Sequence, residues 1–145
     1  MLVLMCGPAG SGKSFASQKF VRQNFVRISS DELRAVIGSD EGDQSVSAQA
    51  FKLMEVFTRH FLKQGYNVVL DAMFLIRKSR QQYINIAKEY GVSTKIVFLN
   101  SSLITCLDRN KRRERKVPED IITKQFERLE VPNNDEGAVI EIVND

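Results

Sequence analysis

Five apolar residues, Leu2 to Cys6, run directly into Gly7-Pro8-Ala9-Gly10-Ser11-Gly12-Lys13-Ser14. No other stretch of the chain constrains its fold as tightly. A short apolar run that ends in a glycine-rich turn is a buried strand, and the following segment, with Phe15, Lys19 and Phe20, is compatible with a helix. In that strand, turn and helix context the spacing G-x-x-x-x-G-K-[ST] builds a phosphate cradle. Glycines let the backbone turn its N–H groups onto phosphate oxygens, and the helix directs its positive end at the same anion. Lys13 is placed to reach the β- and γ-phosphates, and Ser14 offers a hydroxyl to Mg²⁺. The expected nucleotide-binding residues are therefore Gly7, Ala9, Gly10, Ser11, Gly12, Lys13, Ser14 and Phe15, with ATP and Mg²⁺ as the groups bound.

Beyond the loop, β-branched runs at residues 2–6, 26–29, 67–71, 94–99 and 138–143 alternate with longer segments of helical period. That alternation predicts an α/β domain, a parallel sheet covered by helices. Between Ser47 and Lys63, residues Ala50, Leu53, Met54, Phe57 and Phe61 recur at spacings of three and four and predict one apolar helix face; Ile84, Ala87 and Tyr90 do the same between Arg77 and Glu89. The acidic stretch from Ser39 to Ser47 has no period and predicts a surface loop. With 145 residues, 43% hydrophobic and 27% charged, the chain fits a single folded domain over residues 1–145, without a linker or repeat. No segment approaches the roughly 20 apolar residues of a membrane span, and the short apolar opening lacks a signal-peptide pattern, so a cytoplasmic location is expected. Cys6 and Cys106 lack metal-ligand spacing and are expected to be reduced core thiols. His60 is expected at the surface of its helix.

A phosphate cradle is shared by kinases, ATPases and switches, so the acceptor side must discriminate. The second strand ends in Ser29-Ser30-Asp31-Glu32-Leu33-Arg34, where Ser29 and Glu32 have capping-box spacing and Asp31 and Arg34 lie one turn apart. Ligands of open parallel sheets sit outside the carboxyl ends of the strands, which puts both residues at the cleft. Asp31 there can serve as general base on an acceptor hydroxyl, and Arg34 can hold an anionic group of the acceptor or transition state. The structural alternative has Asp31 complementing the helix dipole and Arg34 solvated. Asp71, at the end of the third strand, reads either as part of the metal and substrate shell or as the cap of the following loop.

Between Asp108 and Lys116 there are six basic and two acidic residues, a local net of +4, whereas the remaining 136 residues carry 15 basic and 16 acidic groups. The chain's formal charge of +3 thus belongs to this one segment. Arg109 and Arg113 are four apart and are expected on one helical face. Val117-Pro118-Glu119-Asp120 then predicts a helix restart. An arginine-rich hairpin between two helices suits a lid, over about residues 108–118, that stabilises charge developing on a transferred phosphoryl group. The alternative is a solvated charged run. No aromatic-rich run of the kind that stacks single-stranded bases is present in the sequence.

Taken in order, Gly7 to Ser14, Asp31-x-x-Arg34, Asp71-Ala72-Met73-Phe74, Lys88-Glu89-Tyr90-Gly91 and the Arg109 to Pro118 segment resemble the P-loop kinase superfamily. Within it, the chain is similar to the bacteriophage polynucleotide 5′-hydroxyl kinase domains. The resemblance implies a P-loop NTPase fold with a five-stranded parallel sheet in the order 2-3-1-4-5, helices on both faces and a short arginine-rich lid. It implies an ATP-dependent kinase in which Lys13 and Ser14 hold the triphosphate and Mg²⁺, Asp31 is the base, Arg34 binds the phosphate beside the acceptor hydroxyl, and Arg109 and Arg113 engage the ATP phosphates. Asp71 joins Ser14 as the expected metal ligand set. The expected acceptor is the 5′-OH of DNA or RNA. A metabolite, sugar or drug hydroxyl is the alternative acceptor, and a non-catalytic nucleotide-binding switch is the alternative class. The lid is slightly shorter than the phage pattern, which leaves Arg112 and Arg113 as competing lid arginines, and no phosphatase domain is expected on this chain. Val131-Pro132-Asn133-Asn134 is placed either to border the adenine or to form a plain polar turn.

Overall fold

A computed structural model describes residues 1–145. Strand β1 (Leu2–Cys6) is the centre of a five-stranded sheet, with β3 (Val68–Asp71) and then β2 (Val26–Ser29) on one side and β4 (Thr94–Asn100) and then β5 (Val139–Asn144) on the other. Every neighbouring pair is parallel, in the order β2-β3-β1-β4-β5 that the resemblance implies. Leu2 pairs with Val68 on one flank and Thr94 on the other, so all five β1 residues are fully buried. The predicted strands differ from these only by a residue at an end: β3 starts at Val68, β4 runs on to Asn100, and β5 is shifted by one.

Side chains alternate across the sheet and divide the core in two. Leu2, Leu4 and Cys6 join Val68, Leu70, Ile96 and Phe98 in one layer, against Met54 of α3 (Ser47–Lys63) and Tyr83 and Ile84 of α4 (Arg77–Glu89). Val3, Met5, Val69, Val97 and Leu99 form the other layer, against Phe20 of α1 (Lys13–Val21). The remaining helices are α2 (Ser30–Ile37), α5 (Leu103–Lys111) and α6 (Glu119–Arg128). No helix is long and apolar enough to cross a membrane.

The buried stripe of α3 is rotated from the predicted face. It consists of Ala50, Met54, Thr58 and Leu62, while Phe57 is exposed. Thr58 can lie in the core because its hydroxyl donates to the Met54 carbonyl at 2.7 Å, which removes the cost of burying an unpaired O–H. Hydrophobicity counted along the sequence favours Phe57; the sheet accepts the smaller, self-satisfied side chain instead. The predicted loop after α2 contains one 3₁₀ turn, Gln44–Val46. Asp43 organises it, accepting from the Ser45 side chain and from the backbone N–H of Ser39, contacts that hold its carboxyl down at about 2.

Both cysteines are free and fully buried, as expected, and His60 is exposed on α3. Burial pushes the Cys6 thiol up to about 11, and its Sγ donates to the Phe74 carbonyl at 3.3 Å. Beside it lies a pair the sequence did not announce. Arg80 is completely buried and donates to both carboxylate oxygens of Glu136 at 2.9 Å each, and to the carbonyls of Phe74 and Leu75 at 2.8 and 3.1 Å. Glu136 closes a second 3₁₀ turn, Asn134–Glu136, whose capping box is made with Asn133. Residues 131–133 lead into that turn, Asn134 begins it, and none of the four lines the cleft described next.

Candidate active site

A cleft of about 1240 Å³ opens at the carboxyl end of the sheet, between the phosphate loop, α2, the segment after β3, and the α5–α6 connection. Ala9, Gly10, Gly12, Lys13, Ser14, Phe15, Asp31, Arg34, Asp71, Arg109 and Arg113 all line it. Of the expected nucleotide residues, Gly7 and Ser11 do not. The Gly7 N–H donates to the Met73 carbonyl at 2.9 Å and the Ser11 N–H to Pro8 at 3.2 Å, so these residues shape the loop from beneath.

Two glycines carry the loop's geometry. Gly10 and Gly12 have φ of +81° and +96°, a region that side chains with a Cβ disfavour. A Cβ on Gly10 would also stand 2.6 Å from the Cys106 carbonyl oxygen, so α5 packs directly on the loop. Helix α1 starts at Lys13, and its first-turn N–H groups have no intrahelical acceptors. The Ala9 N–H is held by Gln125 of α6 at 2.8 Å. Lys13 bends back so that its Nζ donates to the Pro8 carbonyl at 2.8 Å. Burial pushes its pKa below the ordinary lysine range; Asp71 and Asp31 oppose this, and Arg113 adds to it. An anion in the loop would relieve that penalty.

Asp31 stands on the first turn of α2, where Ser29 accepts the Glu32 N–H at 3.4 Å. Only this half of the predicted capping box forms, because the Glu32 carboxylate turns to Arg27 at 2.7 Å. One Asp31 oxygen accepts from Arg34 and the other faces Arg115 at 3.6 Å. Arg34 is buried, with its Nε donating to the Glu41 carbonyl at 2.9 Å, so it is not the solvated residue of the structural alternative. Asp71 is buried at the end of β3 and accepts from Arg27 at 2.6 Å. Arg27 also donates to the Ser17 hydroxyl, linking α1, β2 and β3 under the cleft.

The α5–α6 connection is a tight turn. Helix α5 stops at Lys111, and Arg113 lies past its end, so Arg109 and Arg113 reach the cleft from a helix and a turn, not from one helical face. The turn is closed by Asn110, whose side chain donates to the Val117 carbonyl at 2.7 Å and accepts its N–H at 2.9 Å. Arg109 contacts the Gly10 carbonyl and Ser101 hydroxyl, both at 3.3 Å. Arg112 points away, paired with Asp108 at 3.0 Å on the exposed side. Between the two competing arginines, the cleft wall is formed by Arg113.

Arg27, Arg115 and Gln125 were not anticipated. Arg27 sits inside a strand and Gln125 on an ordinary amphipathic helix, so nothing local marks them. Arg115 was visible only as one of several basic residues in its segment. Lys116, within the predicted lid, and Lys124 and Arg128, beyond it, add to the basic rim.

The parallel sheet in this order and the glycine cradle at the end of β1 define a P-loop fold. Residues 2–132 match the AAA domain family (AAA_33), and the chain belongs to it. Among curated relatives, the L-seryl-tRNA(Sec) kinase of Methanococcus maripaludis is 24% identical over 139 residues, covering 91% of this chain and 53% of that protein. The chain thus spans about half the length of that relative, and less of the human and mouse proteins of the same name. Chaetomium thermophilum Kti12, solved with ADP-AlF3, superposes with a TM-score of 0.80 at 17% identity over 99% of this chain and 89% of that one. A chain of the Pnkp1/Rnl/Hen1 RNA repair complex superposes with a TM-score of 0.76 at 24% identity over 88% of this chain and 43% of that one.

Proposed function

We propose that this chain is an ATP-dependent phosphotransferase that moves the γ-phosphoryl group to a hydroxyl, and that the hydroxyl is the 5′-OH of a polynucleotide. One observation carries the reading: Asp31 stands in the same cleft as Lys13, flanked by Arg34 and Arg115. A carboxylate is useful to an alcohol nucleophile, which must lose a proton, and a pair of guanidinium groups beside it suits an acceptor with a phosphate next to its hydroxyl. The basic rim of Lys116, Lys124 and Arg128 adds a path for a polyanion.

In the proposed reaction the acceptor oxygen bonds to the γ-phosphorus and the bond from that phosphorus to the β–γ bridging oxygen breaks, releasing ADP. The hydroxyl proton passes to the Asp31 carboxylate. Lys13, Arg109 and Arg113 neutralise charge on the triphosphate as it is redistributed, and the exposed ring of Phe15 borders the nucleotide side. The donors at the cradle, the Ser14 hydroxyl and the Asp71 carboxylate, are hard oxygens of the kind Mg²⁺ takes alongside substrate phosphates, so the residues fit that ion. When bound, it would draw charge from the β- and γ-phosphates.

The test is incubation with labelled ATP and a 5′-hydroxyl oligonucleotide of DNA or RNA, beside a panel of small alcohols and an acceptor-free control. Label on the oligonucleotide, lost in Lys13→Ala and suppressed by salt as counterion release requires, supports the reading. Label on a small alcohol alone moves the acceptor to the metabolite class. Slow hydrolysis with no labelled acceptor makes the chain a nucleotide-binding switch.

A further inference from the structure

We infer that a pocket between α3 and α4 receives the base of the acceptor's terminal nucleotide; this rests on the polynucleotide reading above. The pocket holds about 260 Å³ and is lined by Phe51, Glu55, Phe74, Ser79, Gln82 and Tyr83, among others. Phe51, Phe74 and Ser79 also line the cleft that contains Asp31, so the pocket is a side chamber of the acceptor half. Its volume lies below the roughly 300–1,000 Å³ of sites for drug-sized ligands, which matches a single ring-sized group.

Three of its eight lining residues are aromatic, Phe51, Phe74 and Tyr83, and the last two are held in place. Phe74 has φ of +44°, a backbone conformation uncommon for a bulky residue. Its carbonyl is held there by Arg80 at 2.8 Å and by the Cys6 thiol at 3.3 Å. The Phe74 and Tyr83 rings meet edge to face, with centroids 5.4 Å apart. Tyr83 is 2% exposed, and its Oη is buried with no hydrogen-bond partner. Burial, and secondarily the charge of Glu55, push the phenol above its ordinary range, so it stays an O–H donor. A buried donor without an acceptor is costly, so an acceptor brought within its reach would be favoured.

The exposed Phe51 ring, beside the fixed edges of Phe74 and Tyr83 and one stranded donor, suits a planar heterocycle that carries a hydrogen-bond acceptor. Lys52, Glu55, Ser79 and Gln82 complete the wall and can serve the polar edge of such a heterocycle. The aromatic surface that the sequence lacked as a run is assembled here from α3, α4 and the segment after β3. A base seated here would hold its own 5′-OH in the cleft, and stacking tolerates every base.

The test compares KM for 5′-hydroxyl oligonucleotides that carry either a normal first nucleotide or an abasic one, with the wild-type protein and with Phe51→Ala, whose parent side chain is partly exposed and unneeded by the core. The abasic substrate is expected to raise wild-type KM about 10-fold, the scale of one base–aromatic stack. Phe51→Ala is expected to raise KM about as much for the normal substrate and little for the abasic one, with KM for ATP unchanged. Tyr83→Phe, which keeps the ring, is expected to raise KM about threefold for the normal substrate only. Equal wild-type KM values for the two oligonucleotides overturn the base pocket while leaving polynucleotide kinase activity standing. An equal effect of Phe51→Ala on both substrates also overturns it. No transfer to any oligonucleotide overturns the underlying reading, and the pocket with it.

Discussion

Arg115, near the end of the lid turn, faces Asp31 on the first turn of α2 across a 3.6 Å gap, and its Nε is buried without a hydrogen-bond partner, 4.0 Å from Glu41. The contact joins the two walls of the cleft. Because the pair is partly exposed, its loss is expected to change stability by less than about 1 kcal/mol. Arg115→Ala should therefore leave the unfolding midpoint nearly unchanged while freeing the lid. Trypsin cleavage within residues 111–116 is expected to accelerate several-fold, and acceptor KM to rise about 10-fold. A protected lid with unchanged KM would show the contact to be incidental.

Asp31→Asn keeps the shape of the side chain and removes its ability to take a proton. Single-turnover transfer is expected to slow by about 10²–10⁴, with ATP affinity by titration altered less than about threefold. Unchanged turnover would remove Asp31 from the base role.

Gly10→Ala puts a methyl group where φ is +81° and where the Cys106 carbonyl oxygen would be 2.6 Å away. Left-handed strain alone costs about 1–2 kcal/mol, and the backbone of α5 cannot yield without moving Arg109. ATP affinity is expected to fall at least 10-fold, together with a lower thermal midpoint. A variant that binds ATP normally would mean that α5 is free to shift.

The Arg80–Glu136 pair is expected to set the acid limit of stability. Burial of Glu136 favours its neutral form, but the Arg80 hydrogen bonds, the Asn133 N–H and the Arg80 charge outweigh that and hold the carboxyl below its usual 4.5. Its contribution is thus fully present above pH 4.5 and is lost as pH falls through the lower folded value. Glu136→Gln leaves the Arg80 charge buried without its counter-ion and is expected to cost about 3–5 kcal/mol at pH 7. Urea midpoints from pH 7 down to pH 3 should fall more steeply for the wild type than for the variant. Parallel curves would exclude the pair as the acid-sensitive element.

What could be read along the chain was what depends on neighbours in sequence. The phosphate loop, the five strands, the cap at Ser29 and the helix restart at Pro118 follow from glycine at strained φ, short apolar runs rich in β-branched residues, an acceptor hydroxyl near a free N–H, and a fixed proline φ. Each is local physics, and each lies within a residue or two of its expected place. The strand order came from family likeness, because alternating strands and helices alone leave the order open.

The misjudged features depend on how helices end and rotate on the sheet, or on partners far apart in sequence. Phe57 was expected inside, yet the rotation of α3 on the sheet leaves it exposed and buries Thr58, whose hydroxyl bonds to the Met54 carbonyl. Arg113 was expected on a helix, but the Asn110–Val117 clasp ends α5 before it. Arg27, Arg80 and Arg115 read as ordinary charged residues until the fold brings Asp71, Glu136 and Asp31 to them. Phe51, Phe74 and Tyr83 likewise share a pocket that no window of sequence contains. Charge pairing and pocket walls depend on distances across the fold, and these exist only once the sheet's register and the helix rotations are set.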